Sequence, residues 1–140
     1  MKHLQIAFSQ YGTEETKGDI DNPEVLKYFD SLGFNGKELK DETAWCAAFV
    51  NWVLKHSNLP YQRKLNARSF LQLGKQTNDP KLGDIVVLWR GSKQGWKGHV
   101  GFYINETENH INILGGNQMN KVCIMPYSKY RLLEYRRINN

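Results

Sequence analysis

Apolar residues recur with the period of an α-helix in the first half of the chain. Four stretches show this pattern, at residues 4–11, 23–33, 41–56 and 66–73. Asn22 before a proline is a typical start for the second of them. The third, DETAWCAAFVNWVLKH, is apolar on almost every side and predicts a buried helix.

The second half of the chain changes to the shorter period of strands. Runs of β-branched and aromatic residues predict strands at 83–89, 99–104, 111–115, 121–125 and 132–137, with a turn at 105–109. Helices followed by a meander of strands predict an α+β fold, with N-terminal helices packed on a C-terminal antiparallel sheet. We find no repeat and no linker, so we expect one domain over residues 1–140.

The charge and composition of the chain limit the classes of molecule that it is expected to bind. The formal net charge of +5 and the pI near 9.2 favour a polyanion: nucleic acid, an anionic membrane surface or an anionic cell-wall polymer. No apolar run reaches the roughly 20 residues of a membrane span, and the N-terminus lacks the apolar core of a signal peptide. We therefore expect the chain to be made in the cytoplasm and taken to any outside target by another route. Separately, we expect a monomer, which no feature of the sequence tests.

Cys46 stands near the start of the buried helix. If Asp41 or Thr43 caps that helix, the thiol lies in the first turn, where unpaired N–H groups and the helix dipole favour a thiolate. The alternative is that Cys46 is one more small core residue. With only one other cysteine, Cys123, a disulfide framework is not expected.

A nucleophilic cysteine needs an imidazole and a group that orients it, and His99 is the best placed of the four histidines. It opens a strand after a basic, glycine-rich loop. Pairing Ile104 near Ile111 brings the segment GGNQ, residues 115–118, beside it. Asn117 could then accept a hydrogen bond from the ring and fix its tautomer. The alternative is that GGNQ is an ordinary turn.

Four segments in this order carry a family resemblance: DETAWCAAFVNWVLK, GDIVVLWRG, GHVGFYI and LGGNQMNKV. They closely resemble the NlpC-like and CHAP-like cysteine amidohydrolases of papain-like fold, and within them a small single-domain subfamily of bacteria and phages. The resemblance implies a peptidoglycan hydrolase that cuts amide bonds of the peptide stems, as an endopeptidase or amidase. Cys46 would be the nucleophile, His99 the base and Asn117 the orienting residue, with a thioester intermediate and no metal or cofactor.

Further residues are expected to line the substrate groove. Trp45 and Trp96 could form its walls, although Trp45 fits core packing beside the nucleophile equally well. Gly115 and Gly116 would let substrate approach the backbone, next to Gln118. Polar contacts near the cleft are also possible from Glu15 and from Glu42, which could instead serve the helix dipole.

The sequence leaves several other functions open. The chain could be a non-catalytic wall-binding or phage structural module of the same fold. Zinc binding by Cys46, His99, His110 and Cys123 lacks the close ligand pairs of zinc motifs. Nucleic-acid binding by the basic, aromatic run at 130–137 lacks any accompanying motif, so no nucleic-acid partner is expected. An enzyme could be a lysin released by a holin, or an injected toxin countered by an immunity protein.

Overall fold

A computed structural model describes residues 1–14, 23–35 and 45–139 of the chain. Its helices are α1 (Lys2–Ser9), α2 (Pro23–Asp30) and α3 (Trp45–His56), followed by a 3₁₀ segment at Ala67–Gln72. The predicted caps Asn22, Asp41 and Thr43, and the acidic residues Glu15 and Glu42, lie outside the described residues. None of the helices described is long and apolar enough to cross a membrane.

The strands form one antiparallel sheet over the described part of the chain. They are β1 (Lys75–Thr77), β2 (Ile85–Trp89), β3 (Gly98–Glu106), β4 (His110–Gln118), β5 (Lys121–Ser128) and β6 (Leu132–Arg137), in the order β1-β6-β2-β3-β4-β5. The predicted α+β class is confirmed. The pattern missed β1, a short polar strand whose sequence KQT has no apolar alternation and which pairs with β6 at the edge of the sheet.

Helix α3 packs against the centre of the sheet. Its residues from Trp45 to Leu54 are all buried, as the apolar sequence predicts. Phe49 meets Phe102 of β3 edge to face, with ring centroids 6.4 Å apart. Gly116 of β4 lies so close that a Cβ there would come within 2.9 Å of the Cβ of Phe49. This close approach brings the first turn of α3 to the ends of β3 and β4.

The buried polar residue of α3, Asn51, forms hydrogen bonds within the protein. Asn51 is fully buried, donates from Nδ2 to the carbonyl of Lys64 at 3.0 Å, and accepts from the N–H of Gln62 at 2.9 Å. Burying an amide is costly unless it is hydrogen-bonded, so Asn51 ties the following segment to one face of the helix. The connection to the 3₁₀ segment is thereby held against α3.

The hairpin of β3 and β4 sets the position of the candidate site. Phe102 pairs with Leu114 and Tyr103 with Ile113, one residue away from the register expected from the sequence. Beyond this point the pairing of β4 with β5 shifts between Gly115 and Gln118. A bulge of this kind re-aims the side chains that follow it.

Candidate active site

Cys46 lies in the first turn of α3 and is 3% exposed. Burial raises the pKa of its thiol, while hydrogen bonds from the backbone N–H groups of Val100, Ala47 and Cys46 itself act in the opposite direction. The helix-dipole argument predicted a lowered pKa, but desolvation of the buried sulfur outweighs it. The resting group is therefore a thiol, and the contact with Val100 places it beside β3, next to His99.

His99, near the start of β3, is buried with 8% exposure. Its ring Nε2 lies 2.9 Å from Oε1 of Gln118, which is also buried. The Gln118 amide is fixed at its other end, since its Nε2 donates to the carbonyls of Cys123 at 2.6 Å and Ile113 at 3.0 Å. Both donor hydrogens of the amide are thus used on backbone oxygens.

This arrangement sets the tautomer of the imidazole. Because the Gln118 nitrogen faces two carbonyls, its oxygen must face His99, and an amide oxygen only accepts. The ring therefore carries its proton on Nε2 and donates it to Gln118. The lone pair is left on Nδ1, which is the arrangement that a general base requires.

Tyr127 of β5 forms a second support for the imidazole, which the sequence analysis missed. Its ring stacks on His99 with centroids 5.0 Å apart and planes inclined by 28°, and its hydroxyl lies 3.3 Å from Nε2. The guanidinium of Arg131 lies over the Tyr127 ring, 5.5 Å from the centroid. The signal closest to it in the sequence was the basic, aromatic run at 130–137, which was weighed only as a nucleic-acid surface.

The hydrogen-bonding amide differs by one residue from the predicted position. Asn117 was expected to orient His99, whereas the structure gives that contact to Gln118. Asn117 has a φ of +58°, in the left-handed region that asparagine tolerates better than most residues. It lies within the bulge that ends regular pairing of β4, so the alternation of side chains breaks here and Gln118 reaches the ring.

Burial also controls the charge of His99. It lowers the pKa of the imidazole to about 4, a shift that the hydrogen bond to Gln118 opposes and the charges of Arg131 and Arg90 reinforce. A neutral amide partner supplies no negative charge to hold an imidazolium. Cys46 and His99 therefore stand as a neutral thiol and a neutral imidazole at neutral pH.

The predicted groove residues divide into core and surface. Trp45 is fully buried and stacks with Tyr28, so it is a core residue rather than a groove wall. A Cβ on Gly116 would come within 2.8 Å of the Trp45 ring, and one on Gly115 within 2.6 Å of Oε1 of Gln118. These glycines serve the packing of α3 and the seating of the Gln118 amide. Trp96, by contrast, is 66% exposed.

The remaining candidate ligands lie elsewhere. His3 bonds the carbonyl of Gly83 at 2.8 Å, and His110 is exposed at the far end of the β3–β4 hairpin. Cys46 and Cys123 are both free thiols. No group of three His, Cys, Asp or Glu side chains among residues 1–14, 23–35 and 45–139 is arranged to hold a metal ion.

Comparison with known protein families agrees with this geometry. The CHAP domain matches residues 38–117, which is more than half of the chain and includes both Cys46 and His99. A search of curated proteins finds no significant match. A cysteine at a helix start, a histidine on the neighbouring strand and the family match agree, and the chain belongs to the CHAP family, whose members are in general hydrolases that act on peptidoglycan.

Proposed function

We propose that this chain is a cysteine hydrolase that cleaves an amide bond in the peptide stems of peptidoglycan. The observation that carries the proposal is the fixed tautomer of His99, which leaves the basic lone pair on Nδ1. His99 lies in β3, the strand whose Val100 N–H contacts the Cys46 sulfur. A core cysteine would need no oriented imidazole nearby. Two buried polar side chains that bond each other and are held by three further groups indicate a chemical role rather than packing alone.

The first half of the reaction forms a thioester. Nδ1 of His99 takes the thiol proton as the sulfur of Cys46 attacks the carbonyl carbon of the stem amide. The backbone N–H groups in the first turn of α3 point towards the helix start and stabilise the oxyanion. The imidazolium then gives its proton to the leaving nitrogen, the C–N bond breaks, and an acyl group remains on the sulfur.

The second half restores the enzyme. His99 takes a proton from a water molecule, whose oxygen attacks the thioester carbonyl. The C–S bond breaks, the sulfur recovers a proton from the imidazolium, and the product leaves as a carboxylic acid. Because the resting pair is neutral, proton transfer accompanies attack in each half, and the buried site disfavours a long-lived ion pair.

Digestion of purified cell walls tests the proposal. Wild-type protein should release soluble muropeptides, while the Cys46→Ala and His99→Ala variants should not, and all three should retain the same folded circular dichroism spectrum. Equal clearing by wild type and Cys46→Ala would overturn the proposal and leave a wall-binding module. Mass spectrometry of the products distinguishes endopeptidase from amidase activity. A new N-terminus on a stem residue indicates an endopeptidase, and a freed lactyl group indicates an amidase.

The setting of the activity is a further part of the proposal. We propose that the chain acts as a monomer on the wall after delivery by a holin or by injection, and the net charge of +5 suits an anionic polymer. A nucleic-acid surface at the C-terminal run finds less support, because Arg136 and Arg137 pair with Glu134 and Asp84. Adding purified protein outside intact cells, with and without membrane permeabilisation, tests the need for delivery.

A further inference from the structure

A small cavity opens beside the strand that carries His99. Its volume is about 30 Å³, and its lining includes Asn66, Arg90, Trp96, Lys97 and Gly98. Gly98 directly precedes His99, and Arg90 lies across the β2–β3 hairpin, where its N–H bonds the carbonyl of Lys97 at 3.1 Å. The cavity therefore adjoins the catalytic pair on the side of the loop at residues 90–97.

Arg90 differs from the other five arginines of the chain. Each of those five donates from its guanidinium to a backbone carbonyl, a carboxylate or both: Arg63, Arg68, Arg131, Arg136 and Arg137. Among the residues that the structure describes, the Arg90 guanidinium has no hydrogen-bond or ion-pair partner, although the residue is half-buried. Gln62 Oε1, and no nitrogen of Arg90, is the buried side-chain polar atom left without a partner in the described part of the chain, so the guanidinium nitrogens of Arg90 reach solvent. A cation that is accessible and not already paired can form charged hydrogen bonds with an anion.

The loop around Arg90 is held in place for such a ligand. The guanidinium of Arg68 donates to the carbonyls of Ser92 at 2.7 Å, Lys93 at 2.8 Å and Lys97 at 2.8 Å. These bonds fix the loop that carries the exposed Trp96, whose ring has the Lys97 ammonium 5.8 Å from its centroid. A preorganised loop binds its ligand without first losing conformational entropy.

We propose that Arg90 forms a carboxylate-binding subsite, with Lys97 and Trp96 at its rim, that takes a free carboxylate of the stem peptide beside the amide to be cleaved. The proposal rests on the function proposed above and names the substrate feature that the site selects. A guanidinium matches a carboxylate through two parallel hydrogen bonds. Occupation of the subsite also affects His99, since the Arg90 charge helps to lower the pKa of that imidazole and a bound carboxylate would cancel its effect.

Synthetic stem peptides test the subsite. The series consists of a parent peptide and analogues in which each carboxylate in turn is a carboxamide, assayed with wild type, Arg90→Gln and Arg90→Lys. Wild type should lose roughly ten- to hundredfold in kcat/KM on one analogue, which is the value of a charged hydrogen bond. Arg90→Gln should cleave the parent and that analogue equally, and Arg90→Lys should recover part of the preference. Lys93→Gln removes the same charge from an exposed position in the same loop and should keep the wild-type preference.

Binding to the inactive Cys46→Ala variant makes the outcomes distinguishable. Calorimetry should show that the parent peptide binds more tightly than the analogue that wild type cleaves poorly. This difference in affinity should vanish in the double variant Cys46→Ala/Arg90→Gln. If wild type cleaves nothing but this difference in binding is found, the proposed hydrolysis fails and the subsite stands. If the peptides are cleaved or bound with no preference that depends on Arg90, the subsite is wrong and the hydrolase stands.

Discussion

The Nε2 atom of His99 lies 2.9 Å from Oε1 of Gln118, and both side chains are buried. Backbone carbonyls of Ile113 and Cys123 hold the other end of the amide, so the contact has one orientation. A neutral amide thus orients the imidazole without the charge that a carboxylate would add. The site fixes the imidazole in position while leaving it uncharged.

Substitution of Gln118 tests whether orientation matters to the rate. Gln118→Leu keeps the volume but removes the acceptor for the Nε2 proton, so His99 is free to take the wrong tautomer. We expect kcat to fall on the order of a hundredfold, within the range that a general base contributes. Gln118→Glu should instead raise the pKa of His99 and move the acidic limb of the kcat/KM profile to higher pH. A Gln118→Leu enzyme with unchanged kcat would show that the amide only fills space.

Tyr127 offers a comparison between stacking and hydrogen bonding. Tyr127→Phe keeps the ring over His99 and loses only the hydroxyl at 3.3 Å, whereas Tyr127→Leu exposes one face of the imidazole to water. Since burial is the main cause of the lowered pKa, Tyr127→Leu should raise the pKa of His99 from about 4 towards 6.5, and Tyr127→Phe should change it little. NMR titration of the imidazole measures both. Equal shifts in the two variants would contradict the role of the ring.

Local features of the sequence were enough to predict where Cys46 and His99 lie in the fold. Cys46 lies at a helix start and His99 at a strand start, and each position depends only on residues close in sequence. The partner of His99 could not be predicted in this way. It depends on the bulge around Asn117, which a period-2 pattern does not contain.

The protonation state of the Cys46 thiol could not be predicted from local sequence either. The position of Cys46 in the first turn indicates a stabilised thiolate, but only the packed structure shows the burial that reverses the direction of the pKa shift. The role of Trp45 was equally open in the sequence, because an apolar residue beside Cys46 can be either a groove wall or a core residue. Its close packing against Gly116 shows that it is a core residue. Both outcomes depend on contacts between distant segments.

Alkylation by iodoacetamide tests the neutral thiol. Because burial raises the pKa of Cys46, the rate should keep rising with pH through the usual range of thiol pKa values near 8.5. The variant Cys123→Ser serves as the background, since a hydroxyl can replace the Cys123 thiol in its bond to the carbonyl of Gln118. A rate already constant near neutral pH would mean that a thiolate–imidazolium pair is the resting state.

Gly116 tests how closely α3 must approach the sheet. A Cβ at this position would lie 2.8 Å from the Trp45 ring and 2.9 Å from the Cβ of Phe49, and neither group has room to move in the core. Gly116→Ala should lower the free energy of unfolding by about 1–3 kcal/mol and should also lower kcat, because the first turn carries Cys46. Gly95→Ala is the control, since there the nearest atom is the flexible hydroxyl of Ser92. Urea unfolding and wall digestion measure the two effects, and a stable, fully active Gly116→Ala would contradict them.

The pH dependence of stability tests the burial of His99. Its pKa is about 4 in the folded protein and near 6.5 when exposed, so folding favours the neutral ring. The resulting contribution to the free energy of unfolding is complete above about pH 6.5 and is lost as the pH falls towards 4. In that range the imidazole binds a proton in the unfolded chain but stays neutral in the folded chain. The loss is about 3 kcal/mol in the free energy of unfolding. In urea titrations at several pH values, His99→Gln should lack this part of the acid dependence, whereas His110→Gln, at an exposed position, should keep it. Identical acid dependence in wild type and His99→Gln would mean that folding does not lower the pKa of His99, and would contradict the lowered pKa on which the neutral imidazole rests.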